Sequence, residues 1–223
     1  MKKFLIAGSL ALVSVNAMAD ENRGFYLNAN FGQAKYDISQ QDLDDVARLA
    51  FEANGVSVLG ADSTFDDKGS SWSLSGGYRF SRYLAVEVGY LDLGSAEYRA
   101  NELVSVPGIG LMDATIGVDI SAKGPTVAAA GFAPIGEKFD VHGRLGVFFS
   151  DTTLDVGVGI GGVTQSDNLS ANSQDFFAGI GAAYHLTKNF AASLDYSLFK
   201  DVGDKQTGEG DIDSLTLGLQ YTF

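Results

Sequence analysis

Cysteine is absent from the 223 residues, proline occurs three times, and 15 basic side chains face 28 acidic ones. Without Cys there is no disulfide framework and no zinc or iron–sulfur site built on thiolates. A formal charge of −13 argues against a nucleic-acid partner, whose phosphates require a basic face. After the first 19 residues no apolar run reaches the roughly 18 positions of an ordinary transmembrane helix. Yet hydrophobic residues make up 45% of the chain and glycine fills 28 positions, which is too apolar for a disordered acidic tail.

The apolar run that does exist is at the start. Met1-Lys2-Lys3 is basic, Phe4 to Val15 is almost wholly apolar, and Ala17-Met18-Ala19 offers small residues to a signal peptidase. Residues 1–19 therefore read as a secretory signal peptide of bacterial style, cut before Asp20. Residues 20–223 are left as the mature domain.

That domain is dominated by a period of two, the mark of half-buried strands. Leu215, Leu217, Leu219, Tyr221 and Phe223 alternate with Ser214, Thr216, Gly218, Gln220 and Thr222. Trp72 to Phe80, Leu84 to Tyr90, Val141 to Phe149, Phe25 to Gly32, Gly179 to Leu186 and Phe190 to Tyr196 follow the same rule. A low-contrast stretch from Val118 to Ala133 brings the expected total to eight strands. The polar face is Gly, Ser, Ala and Asn with isolated charges, and the apolar face is rich in aromatics. A soluble sandwich would carry long charged side chains on its polar face. Small residues suit a narrow lumen, with large apolar groups turned to lipid. Lipid offers backbone groups no water, so such a sheet must close on itself.

The links between strands alternate strictly in length. Ser81 to Tyr83, Ile135 to Lys138 and Thr187 to Asn189 are short. Asp37 to Ser70, Gly94 to Gly117, Ser150 to Gln174 and Lys200 to Asp213 are long, and they hold most of the acidic residues. This predicts an all-β, eight-stranded antiparallel up-and-down barrel crossing the bacterial outer membrane, with short periplasmic turns and long extracellular loops.

The block from Gly76 to Gly94 resembles the second hairpin of small Gram-negative outer-membrane barrels, namely the transmembrane domain of outer membrane protein A and the wider porin-like β-barrel family. Gly143 to Gly146 and Asn189 to Tyr196 fall where that family places its third and fourth hairpins. The resemblance covers essentially the whole mature chain. It implies that Tyr221 and Phe223 form the terminal signal read by the barrel assembly machinery. It implies lipid and lipopolysaccharide as surroundings, and many functions on one scaffold. Since the sequence stops at the last strand, the peptidoglycan-binding domain of full outer membrane protein A is expected to be missing.

Arg79, Glu87, Arg144 and Asp195 share the inward parity near the short turns. They are expected to converge as a lumen ion network, Glu87 pairing with Arg79 or Arg144, because an unpaired charge there is costly. Such a network serves as a structural plug or as the gate of a small pore. His142 and His185 lie on the same face, with no carboxylate at a helical ligand spacing; no metal, cofactor or catalytic site is expected. Gly157 to Gly162 lacks the Lys-Ser/Thr of a phosphate loop and reads as a loop or hairpin tip. In the first long link Ser39 caps a helix with Leu43, Val46, Ala47 and Ala50 as its apolar stripe, ended by Asn54-Gly55. The expected function is structural or recognitional, carried by acidic extracellular loops toward an unnamed ligand. A narrow porin-like channel is the alternative, and an enzyme of envelope lipid the weaker third.

Overall fold

The computed structural model describes residues 23–204 and 208–223; the signal peptide expected over residues 1–19 lies outside them. Among the described residues, nine antiparallel strands and one helix follow in order. They are β1 (Gly24–Tyr36), α1 (Gln40–Ala53), β2 (Ser57–Asp66), β3 (Lys68–Arg79), β4 (Leu84–Val106) and β5 (Gly110–Ile135). Then come β6 (Phe139–Ile160), β7 (Val163–His185), β8 (Phe190–Asp204) and β9 (Gly208–Thr222). β1 pairs with β3 on one side and β9 on the other, and β4 pairs with β5, so every strand except β2 joins one closed ring of eight. Closure leaves no edge for lipid to strip of hydrogen bonds. At the seam the Phe223 amide donates to the Phe25 carbonyl at 3.0 Å.

Outside the ring, the alternating residues form the lipid-facing surface: Leu27, Phe31, Leu74, Val88, Phe176, Ile180 and Leu217 are all exposed large apolar groups. Aromatic rings gather at the short-turn end, with Phe25–Tyr78, Phe190–Tyr221 and Tyr221–Phe223 centroids 4.8, 5.0 and 5.0 Å apart. This is the interfacial girdle of a membrane barrel. Among the described residues no helix is long and apolar enough to cross a membrane; the crossing is made by strands.

The long links are where the structure departs from the sequence reading. A tilted strand needs about 10 residues to span the hydrocarbon, whereas β5 runs for 26 and β7 for 23. Gly94 to Gly117 and Ser150 to Gln174 are therefore mostly strand, not loop. The β6–β7 hairpin stays paired out to Ile160 and Val163 and turns at Gly161 and Gly162, both at positive φ. β2 joins this outer sheet by pairing with β4 from Asp66↔Glu97 to Ser57↔Ser105.

β4 thus changes partner along its length, β3 up to Asp92 and β2 from Glu97. Gly94 marks the switch, at φ 70°, which a side chain would resist. The β4–β5 register slips there, between Asp92 and Ser95, and the buried parity flips. Ala85, Glu87, Leu91 and Leu93 are buried before it; Ala96, Tyr98, Ala100, Glu102 and Val104 are buried after. A bulge does this by inserting one extra residue.

Two apolar clusters fill the space above the lumen. At the barrel mouth Tyr36, Leu93, Phe148, Phe199, Val202 and Ile212 pack together, Phe148 and Phe199 with centroids 5.5 Å apart. The expectation of a lumen filled by small side chains fails here, because at this level the same inward parity that carries Asn28, His142, Arg144 and Asp195 carries Tyr36, Phe148 and Phe199. Farther out, Ala47 and Phe51 of α1 pack on Tyr98, Ala100, Val104, Ala114 and Ile116. The helix ends at Asn54 and Gly55 as its sequence suggests, but the Ser39 side chain makes no capping hydrogen bond.

Candidate functional site: the lumen and the outer cap

Inward parity carries Glu87 on β4, Arg144 on β6 and Asp195 on β8 to the same level of the lumen. Arg144 Nε donates to Glu87 Oε2 at 2.9 Å, and its Nη1 donates to Asp195 Oδ1. Tyr26 from β1 donates its hydroxyl to the other Glu87 oxygen at 2.7 Å. His142 Nε2 meets Asp195 Oδ1 at 2.6 Å, and Ser193 donates to Asp195 Oδ2 at 2.6 Å. One guanidinium thus lies between two carboxylates, each held by further donors, which is how buried charge avoids an isolated partner.

The glycines on this face make room for these groups. A Cβ on Gly77 would overlap the Tyr26 ring, and one on Gly181 would overlap His142 Nε2 and come 2.5 Å from Asp195 Oδ1. The small and large inward residues are holes and knobs of one packing problem.

Arg79 does not join that group. Its Nη2 lies 3.7 Å from Asp140 Oδ2, which also meets His185 Nε2 at 2.8 Å. The guanidinium is seated 3.8 Å from the Phe132 ring centroid, a cation–π contact. So Glu87 pairs with Arg144 and not with Arg79. Sequence reading missed Tyr26, Asp140 and Ser193. Parity was the usable signal, since Asp140 is in phase with His142 and Arg144, and Tyr26 is opposite Phe25 and Leu27.

Ser193 contacts Asp195, not His142, so the trio lacks the hydroxyl-to-imidazole bond that activates a serine nucleophile. Among the described residues no group of three or more metal-ligating side chains converges.

Outside the barrel, the α1 helix is held by Tyr98, whose hydroxyl donates to Asp44 Oδ1 at 2.6 Å. Glu102 is buried beside them, with no hydrogen-bond partner for Oε2. Burial, and then the Asp44 carboxylate, push the Glu102 carboxyl above the usual range. At the opposite rim the Lys200 ammonium donates to Asp211 and holds its carboxyl below that range.

A closed ring of eight tilted strands, an outer girdle of aromatics and a polar, ion-paired interior define a small outer-membrane β-barrel. The model of the OmpA-like transmembrane domain matches residues 20–223. The chain belongs to that family, and its place is the bacterial outer membrane. It is 28% identical over 229 residues to outer membrane protein A of Serratia marcescens, covering all of this chain and 56% of that protein. With outer membrane protein A of Shigella flexneri it shares 31% over 152 residues, 66% of this chain and 38% of the relative. The chain thus spans about half the length of the first of these relatives. Among solved structures, the outer membrane protease OmpT of Escherichia coli superposes with a TM-score of 0.50 at 11% identity, covering 93% of this chain and 99% of the other. Neisserial surface protein A gives 0.48 at 18%, covering 90% and 97%. At such identities these likenesses concern the fold alone.

Proposed function

We propose that the protein is a non-conducting outer-membrane anchor that holds a folded, acidic recognition surface outside the cell. The observation that carries this reading is the outer cap. Strands more than twice the length a membrane needs continue as paired sheet and carry α1 and β2 on them. A simple anchor or pore has no use for so much ordered structure beyond the lipid. Recognition residues commonly sit where a rigid scaffold presents them. Closure of the lumen at two levels, by the Arg144 network and by the Phe148 cluster, speaks against a porin-like channel. Export directed by residues 1–19, and assembly guided by Tyr221 and Phe223, complete the proposal.

The test compares bacteria displaying the intact chain with bacteria displaying a barrel in which residues 37–67 are replaced by a short linker. Retention on cellular and extracellular-matrix surfaces should favour the intact chain, and neither protein should pass steady current in a planar bilayer. Equal retention on every surface would remove the recognition role; steady current from the intact protein would favour the channel.

A further inference from the structure

Between α1 and the barrel mouth lies a cavity of about 710 Å³, within the usual range of roughly 300–1,000 Å³ for small-molecule sites. Leu43, Ala47 and Phe51 of α1 form its roof, Val158 and Ile116 a side wall, and Ile212 part of its floor. The α1 stripe is incompletely covered: Ala47 is 8% exposed, but Val46, which also faces the cavity, is 65% exposed. Apolar surface is thus left bare on the side that opens into the space.

The polar groups around this space are nearly all spoken for. Tyr36 donates to the Gly94 carbonyl, Tyr98 to Asp44, and Asn54 to the Ala50 carbonyl. Thr152 is different. It is 3% exposed, it lines the cavity, and its hydroxyl has no hydrogen-bond partner. A buried unpaired hydroxyl is unfavourable. A water there would need two or more polar partners, but the cross-strand neighbour of Thr152, Ala122, and the next lining residue on its own strand face, Leu154, are both apolar. The charged residues that line the cavity, among those described, are Glu209 and Asp211. Asp211 is already paired with the Lys200 ammonium, so it is Glu209 whose charge would repel an anionic ligand at that rim.

We propose that this cavity binds an uncharged, predominantly aliphatic molecule bearing one terminal hydrogen-bonding group, which the Thr152 hydroxyl, closed off in this structure, meets by a turn about χ1 while the apolar body fills the space beneath α1. The long-chain primary alcohols have this chemistry; the corresponding carboxylates do not. The site does not depend on the display role, because a ligand held in the cap neither requires nor excludes a partner on another cell.

The test uses the full chain in lipid nanodiscs, with equilibrium uptake of labelled 1-dodecanol, dodecane and dodecanoate corrected for empty nanodiscs. The expected result is saturable uptake of one dodecanol per protein, with dodecane weaker by about tenfold for want of the one hydrogen bond, and no saturable dodecanoate. Thr152→Val, which keeps the shape and removes the hydroxyl, should bring dodecanol to the dodecane level. Val158→Trp should narrow the cavity and weaken uptake of both, with retained heat-modifiable gel mobility showing that the barrel has folded. Uptake no greater than that of empty nanodiscs would overturn the proposal. So would dodecanoate binding as well as dodecanol, or a Thr152→Val protein that keeps the full preference for the alcohol.

Discussion

Arg144 on β6 reaches Glu87 on β4 at 2.9 Å although β5 lies between their strands in the ring. The bond therefore skips a strand instead of following the wall from neighbour to neighbour. With Asp195 on β8 it ties together strands that share no backbone hydrogen bonds.

Replacing Glu87 by Gln leaves Arg144 with one acidic partner. The loss should be about 1–3 kcal/mol, below the ~3–5 of removing a buried partner outright, because the amide still accepts a hydrogen bond. Urea titration in vesicles measures it. An undiminished midpoint would mean that the contact carries no stability.

Conductance should resist any single replacement. The Arg144 network and the Phe148 cluster stand in series, so Arg144→Ala alone and Phe148→Ala alone should pass no steady current, whereas the double variant should. Current from either single variant would show that the other stopper does not seal.

Glu102 gives the cap a pH dependence of defined sign. Its carboxyl is raised in the folded state, so the folded cap binds the proton more tightly than the unfolded chain. The stabilisation is complete below the ordinary carboxylate pKa of about 4.3 and is lost as pH rises through that value to the raised one. Glu102→Gln should match the parent at low pH and show slower amide exchange in α1 and β2 at neutral pH. Equal exchange at neutral pH would show the buried charge to be harmless.

Phe223→Ala should lower outer-membrane yield in cells far more than stability after refolding. The ring is 67% exposed from the protein, so its packing contributes at most ~1 kcal/mol. Normal yield combined with a large loss of melting temperature would reduce Phe223 to a packing residue.

The ring was legible because lipid imposes an alternation that nothing interrupts between Phe25 and Gly32 or between Ser214 and Phe223. The cap was not, and Gly94 shows why. One inserted residue reverses which parity is buried, so a strand running from Leu84 to Val106 reads as two short signals out of phase. Phe51 escaped notice because the helix stripe seemed complete with Leu43, Val46, Ala47 and Ala50. In the lumen, parity placed Glu87, Arg144 and Asp195 on one face, but parity carries no depth. Arg79 is in phase with them and still finds Asp140 instead. The cavity could not have been read at all, since it exists only where α1 folds back over side chains of β5, β6, β8 and β9 far away in sequence.

The partner exchange along β4 has a mechanical consequence. A hinge between cap and barrel would require a segment belonging to neither, and β4 belongs to both. β5, β6 and β7 likewise run from the periplasmic turns to the outer hairpins, β6 and β7 paired without a break and β4, β5 and β6 paired on both sides of the bulge at Gly94. A pull on the outer hairpins is therefore directed along the strands, loading many interstrand bonds together in shear, instead of opening them one at a time as peeling would. The cap transmits tension into the membrane as a stiff rod does, and it should yield only at forces that also threaten the barrel.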